Sequence, residues 1–501
     1  MNTLQVIRPE LLTLSHNQLQ ALMPYTWVFV GSMVTLLVGV ARRFNPKWLV
    51  FLLTLVTCSG AISSSQGLIS GGSFTLFNQM MISDSFSHFF NIIFLASAGF
   101  TALASFRYLD REGIQHPEYY VLLMLSALGM MLMASALDLI VLFIALELMS
   151  LCVYVLVGFR RADRKSNEAA MKYFILGSVA SAILLYGTAL LYGMTGSTGI
   201  KSILSFTQSH PEAVNPIFIL GAGLVLFGFL FKIASVPFHM WMPDVYEGAP
   251  VVVTGFMTTG LKAAAFAAFI RVFHSMGYGE GLPELFQSHI HDILWVCAVL
   301  TMTVGNFAAL AQTNLKRMLA YSSIAHSGYL LIGILSAPYT EHGFMASVLY
   351  VLVYAVMNLG AFVVLSLLSG RGDSGLNLHD VSGISQRHPF LALSLAIFLL
   401  SIASIPPTAG FAAKYLLFYS AVQAHEIPLV IIGVLCSAVS VYYYLRVLVY
   451  MYMRDPVGSP SVLRVSVWSG FAVAAMVSLT LQVGIMPEKM VQAAIRAVTS
   501  L

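Results

Sequence analysis

The stretch IVLFIALELMSLCVYVLVG (140–158) carries one Asp, Glu, Lys or Arg side chain, Glu147, in a run that is otherwise uncharged and mostly apolar. Its length is close to the ~20 residues an α-helix needs to cross the hydrocarbon core of a bilayer. Similar runs recur on both sides of it. They begin near Pro24, Trp48, Ile82, Tyr119, Leu139, Tyr173, Pro216, Val251, Ile290, Met318, Gly343, Pro389, Ile427 and Val465, about fourteen in all. The period-2 alternation of a membrane barrel does not dominate. Composition agrees: of 501 residues, 58% are hydrophobic and 9% charged, where a soluble chain carries roughly 25% charged residues to meet water. A soluble globular enzyme, a disordered chain and a nucleic-acid-binding domain are thereby excluded. The net charge of +4 is too small and too scattered for a basic groove. The expected fold is an all-α polytopic membrane protein forming a single membrane domain over 1–501. The polar start from Asn2 to Gln20 lacks a basic leader region, so no cleaved signal peptide is expected.

Cys58, Cys152, Cys297 and Cys436 stand singly in apolar runs. Metal or iron–sulfur sites need several converging thiolates, so these read as buried free thiols. No glycine-rich dinucleotide fingerprint, phosphate-binding loop or zinc motif is present. Chemistry in this chain is left to protons or ions.

Basic residues resist translocation and report sidedness. With the first helix running from outside to inside, the inner loops hold Arg42, Arg43, Lys47, Arg107, Arg111, Arg160, Arg161, Arg164, Lys165, Lys172, Lys316, Arg317, Arg371, Arg387, Arg446, Arg454 and Arg464. The outer loops hold only Arg8, Lys201, Arg271, Lys489 and Arg496. Both chain ends then face outward. The three cations left over, Lys232, Lys262 and Lys414, fall inside hydrophobic runs, and Glu147 is the matching anion. A lysine at mid-helix costs ~2.5–3.5 kcal/mol on insertion scales. Such residues face the bundle interior and mark ion or proton paths. The alternatives are a static ion pair or snorkelling to the interface. Snorkelling suits helix ends, whereas Lys262 and Lys414 lie well inside their runs. Asp84 and Asp138 read as helix-end groups, and His239 as support for a loop.

KIASVP (232–237) and SIASIP (401–406) read alike at an offset of 169, and YVLVG (154–158) echoes YLLIG (329–333) at 175. Two copies of a unit of about five helices follow; an odd number of helices inverts the second copy in the membrane. Residues 1–118 hold helices 1–3, 119–275 the first repeat, 290–455 the second and 464–501 the last helix. Pro237 and Pro406–Pro407 each remove a backbone donor inside an apolar run. Two broken helices are therefore expected, their freed backbone groups needing protein or water partners.

These residues carry a resemblance. LELMSLCVYVLVGF (146–159), FKIASVPFHMWMPDVYEGAP (231–250), QTNLKRMLAYSSIAHSGYLL (312–331), SIASIPPTAGFAAKYL (401–416) and VYYYLRV (441–447) resemble the antiporter-like, proton-translocating membrane subunits of respiratory complex I. Within that family the VYEGAP ending and the chain length point to the subunit N group of bacterial NADH:quinone oxidoreductase. The resemblance spans roughly 20–490, and the amino-terminal ~20 residues do not align with it. It implies fourteen helices with two inverted five-helix repeats. It also implies a relay: Glu147 on the fifth helix, Lys232 on the broken seventh, Lys262 on the eighth, His326 on the tenth and Lys414 on the broken twelfth. Glu147 is expected to pair with Lys232, and protons to pass through Lys262 and His326 to Lys414. The family's members hold no redox cofactor, so NADH, FMN, iron–sulfur clusters and quinone are expected in partner subunits. The chain is then a non-redox subunit of a translocase, with no isolated catalytic activity. Its partners are other membrane and peripheral subunits and the lipid bilayer, with no nucleic acid. It belongs in the bacterial inner membrane, both termini periplasmic. Two other readings stand beside this one. An autonomous cation/proton antiporter would want several deep carboxylates as hard oxygen ligands, and a non-pumping structural subunit would tolerate loss of Lys414. Ser235, Thr258, Thr259, Gly260, Ser322, Ser323 and Ser327 either hold a water wire or permit close helix packing.

Overall fold

The structure is a computed structural model that describes residues 15–41, 47–210, 214–278, 284–456 and 465–501. Arg8, Arg42, Arg43, Arg464 and residues 2–14 of the polar start lie outside the described residues.

The chain is almost entirely helical. It begins with α1 (His16–Val40) and α2 (Lys47–Leu68), followed by a hairpin of β1 (Phe74–Leu76) and β2 (Met81–Ser83), antiparallel with Phe74 opposite Ser83. Then come α3 (Ser85–Glu112), α4 (Pro117–Ser135), α5 (Leu139–Val157), α6 (Arg164–Thr195), a short α7 (Ile200–Ser209), α8 (Pro216–Lys232) and α9 (Trp241–Gly248). One continuous rod contains α10 (Val251–Phe256), a π-helical turn (Met257–Leu261) and α11 (Lys262–Ser275). The second half holds α12 (Glu284–Leu310), α13 (Leu315–Ser336), α14 (His342–Leu368), a single turn α15 (Ile384–Arg387), α16 (Pro389–Ile402), α17 (Ala409–Gln423) and α18 (Ile427–Met453). It closes with α19 (Val467–Ile485) and α20 (Glu488–Val498).

Local chemistry sets many of these starts. Asp84, Asp138, Asp163, Asn215 and Asn314 each accept amide hydrogen bonds from the first turn of the following helix. Asp84 and Asp138 are thus the helix-end groups expected of them. Pro117, Pro216 and Pro389 occupy first-turn positions, where a missing N–H costs nothing.

Among the described residues, twelve helices are long and apolar enough to cross a membrane. Two shorter apolar helices, α8 and α16, are the leading halves of the two broken crossings, which α9 and α17 continue. Together they make the fourteen crossings expected, including the second one. The α10–α11 rod is buried along nearly its whole length and α13 likewise, forming the centre of the bundle. The outer helices turn Phe29, Leu37, Phe174, Val179, Leu435 and Phe471 outward, as a protein solvated by lipid does.

Both breaks have the same backbone wiring. Ile233, Ala234 and Ser235 donate to the carbonyls of Phe229, Phe231 and Leu230; Ala403, Ser404 and Ile405 donate to those of Leu399, Ser401 and Leu400. Ala234 and Ser404 both have positive φ, and Val236–Pro237 and Pro406–Pro407 are both cis. Each of these pairs is 170 residues apart, so the sequence echo at 169 is one residue out of structural register. The turn, rather than residue identity, is what repeats.

Three cations assigned to loops prove to be buried in the protein. Arg271 lies inside α11, fully buried, with its guanidinium on both oxygens of Asp84 at 2.5 and 2.8 Å. Arg160 and Lys316 are buried at the opposite end, both within 3.1 Å of Asp373. Carboxylates from distant segments neutralise them there, which their own neighbours in the chain do not reveal.

Candidate functional site

Lys232 is the last residue of α8, so the break itself delivers its side chain into the bundle. Its ammonium donates to Ser150 Oγ of α5 at 2.8 Å and stands 5.9 Å from the Tyr154 ring and 5.7 Å from that of Tyr173. Glu147 is one turn before Ser150 on the same helix. The expected Glu147–Lys232 ion pair is not formed within 4.0 Å; Ser150 takes the ammonium instead. Glu147 Oε1 is buried without a hydrogen-bond partner, while the residue as a whole is half-buried at the edge of the bundle.

The break leaves backbone groups open at membrane depth, and side chains of other segments meet several of them. Ser327 donates to the Ile233 carbonyl at 2.6 Å, Trp241 Nε1 to that of Phe231 at 3.1 Å, and the Val236 amide to Thr301 Oγ1 at 2.9 Å. His239 stands half-buried in the turn between the two half-helices, its carbonyl accepting the Met242 amide. This is how irregular backbone is tolerated inside a membrane.

Lys262 opens α11 directly after the π-helical turn, a distortion that concentrates at functional sites. Thr258 and Thr259 of that turn donate to the Gly255 carbonyl of their own helix. The Lys262 ammonium donates to both the carbonyl and the hydroxyl of Ser323 on α13, and lies 5.3 Å from the Tyr354 ring. Lys232 and Lys262 line one small cavity of about 10 Å³, room for about one water.

His326 is one turn beyond Ser323. Its Nδ1 is 2.6 Å from Tyr350 Oη, and Tyr444 Oη, which also contacts Ser322, is 3.5 Å from Nε2. One turn further, Tyr329 presents its ring 4.3 Å from the Lys414 ammonium, which donates to Ser437 Oγ of α18 at 3.0 Å. The two halves thus repeat a motif: Lys232 over Tyr154 and Lys414 over Tyr329, the two tyrosines of the YVLVG and YLLIG echo.

All five residues singled out from the sequence lie along one polar line through the bundle, from half-buried Glu147 to buried Lys414. Ser150, Ser437 and the tyrosines 154, 173, 329, 350 and 354 are additions from the structure. Serines and tyrosines are common in membrane helices, and only tertiary packing tells which of them face a lysine. The amine of each lysine meets hydroxyls, aromatic faces and, for Lys262, a carbonyl, rather than a carboxylate, an arrangement in which a proton can leave or join without breaking a strong ion pair. At the start of α3, burial raises the Asp84 carboxyl and the Arg271 guanidinium outweighs it, holding the group below the usual carboxylate range. Among the described residues, no cluster of histidine, cysteine, aspartate and glutamate has a metal-holding arrangement.

Residues 136–440 match the family described as NADH:quinone oxidoreductase/Mrp antiporter, TM. The chain is 45% identical to NADH-quinone oxidoreductase subunit N of Trichlorobacter lovleyi over 484 residues, 96% of this chain and 97% of the relative. It is similar to a chain of respiratory complex I from Thermus thermophilus solved with bound aureothin, at 35% identity, a TM-score of 0.79, and 94% and 99% coverage. A chain of the Mrp complex from Dietzia sp. shares the fold at a TM-score of 0.84 with 21% identity, covering 96% and 97%.

Proposed function

The chain belongs to the NADH:quinone oxidoreductase/Mrp antiporter membrane family, and from that premise we propose that it moves protons across the membrane through the Glu147–Lys232–Lys262–His326–Lys414 line. It does so as the antiporter-like subunit of an NADH–quinone oxidoreductase, driven by electron transfer in partner subunits. The carrying observation is the line itself: three buried lysines and a buried histidine, linked by hydroxyls one helical turn apart. NADH, FMN, iron–sulfur clusters and quinone are placed in the partners, and this chain supplies proton-transfer chemistry alone.

The path runs as follows. Half-buried Glu147 meets charge movement in a neighbouring subunit. Lys232, one turn away through Ser150, responds by passing its proton to the space it shares with Lys262. Lys262 is followed by Ser323 and His326, and Lys414 releases the proton on the far side. Histidine is a suitable middle member because its unperturbed pKa of ~6.5 allows it to accept and give up a proton near neutrality. The basic loops put the α5–α6 and α14–α16 connections inside and the chain ends outside, in the inner membrane of a bacterium.

The autonomous antiporter reading lacks support from the site. A sodium site takes several carboxylate or carbonyl oxygens, and the lysine line offers one half-buried carboxylate, Glu147. The likeness to the Mrp chain is one of fold.

The test uses membranes carrying Glu147→Ala, Lys232→Ala, Lys414→Ala and Lys414→Arg in the assembled complex. Each is expected to lower proton pumping and the coupled quinone reduction, by on the order of ten-fold for the lysines, because an arginine keeps its charge but does not release its proton. Full pumping by Lys414→Arg would remove the relay reading.

A further inference from the structure

Away from the lysine line, α3, α14 and α19 surround a cavity of about 300 Å³ that is partly open to the outside of the bundle. Its walls are apolar: Phe89 and Phe100 of α3, Val356 of α14 and Leu479 of α19 mark its extent. Among its polar side chains, Thr480 spends its hydroxyl on the Met476 carbonyl. Protein interiors are packed to the density of organic crystals, and an apolar void stays dry even at half this size. An occupant without polar demands is therefore called for.

The shape narrows the choice. From Phe89 to Phe100 the cavity follows α3 for about 16 Å at 1.5 Å per residue, so it is long in the direction the helices cross the membrane. At its outer end lies α20, which lines the cavity with Met490 and Ala493. The final turn of the chain is fastened to the start of α3, where the Phe86 amide donates to Ser500 Oγ at 3.0 Å. The exposed residues of α20 include Lys489, next in sequence to the lining Met490, and Arg496, one turn after the lining Ala493. An amphipathic helix of this kind lies in the headgroup layer and attracts anionic lipid.

We propose that this cavity holds one acyl chain of an anionic phospholipid, its headgroup resting against Lys489 and Arg496 of α20. The cavity borders the back of α14, whose Tyr350 and Tyr354 face His326 and Lys262. It also touches Ala409, the first residue of the half-helix that carries Lys414. A chain seated there supports both elements from behind. That consequence rests on the relay reading; the binding does not.

The test is photolabelling of the intact, purified respiratory complex in vesicles of phosphatidylglycerol bearing a diazirine near the end of one acyl chain. Adducts are expected in 89–100 and 475–483 at several times the density found at lipid-facing Phe471. Ala96→Phe with Ala475→Phe, which fill the cavity, should remove these adducts and leave those at Phe471. Lys489→Ala with Arg496→Ala, both exposed and outside the cavity lining, should lower labelling by phosphatidylglycerol at least three-fold while a phosphatidylethanolamine probe is unaffected. Labelling of the lining no denser than at Phe471 overturns the proposal. So does equal loss of both probes in the α20 variant.

Discussion

Arg271 and Lys262 sit on the same buried rod and are held in opposite ways. Arg271 is bound bidentately by Asp84 and also donates to the Ala134 carbonyl at 3.0 Å; Lys262 has a single serine. Arg271 is therefore locked in a bidentate ion pair, whereas the Lys262 amine meets no carboxylate. Breaking the buried pair by Asp84→Asn or by Arg271→Met is expected to destabilise the fold by about 3–5 kcal/mol, whereas replacing both together costs less. Thermal unfolding of the two single variants and the double in detergent gives the coupling. Because the Asp84 carboxyl is held below its ordinary range, its contribution is present above the unfolded value of ~3.9 and lost as pH falls through the folded one. The three lysines were legible because a charge in an apolar run is conspicuous. Arg271 was hidden because it lies near the end of its run, where a sequence reads like a loop. The hydroxyl and aryl partners were hidden because they come from other helices.

The two broken crossings show which features of an element a sequence carries. Pro237 and Pro406–Pro407 announced both interruptions, and the need for backbone partners followed from the membrane setting. The identity of those partners did not, since Thr301 and Ser327 lie 64 and 90 residues beyond Pro237. Gly410 has a comparable requirement in the second break. A Cβ there would collide with the Ser401 carbonyl, so the half-helices close on each other only with glycine. Thr301→Val removes the acceptor of the Val236 amide and is expected to cost about 1–3 kcal/mol, the penalty of an orphaned buried donor. Thr301→Ser retains it. The check compares the complex assembled and its unfolding midpoint, with Thr301→Ser near wild type and Thr301→Val clearly lower.

For the whole molecule, the count of crossings and the uneven charge were readable from hydropathy and basic loops alone. A cysteine at Gln492 on α20 is expected to react with an impermeant maleimide added to cells with a permeable outer membrane. One at Arg164, before α6, should react only after the inner membrane is opened. The reverse pattern would invert the topology. What no local pattern carried is the cluster around Asp373, because its five members come from five distant segments. Asp373 accepts Tyr108 Oη at 2.7 Å, the Val251 amide at 3.1 Å, Lys316 at 3.1 Å and Arg160 at 3.1 Å. Tyr108 belongs to the amino-terminal helices, Arg160 and Val251 to the first repeat, and Lys316 and Asp373 to the second.

One carboxylate thus rivets three parts of the chain to a common point. Secondary transporters built from inverted repeats work by rocking one unit against the other, and such a rivet opposes that stroke. Spin labels on Arg164→Cys and Gln386→Cys, one in each half, should keep a single separation during turnover; a second population would mean the rivet lets go. In a scaffold that stays still, transport falls to what is small: rotamers, protons and the waters between them.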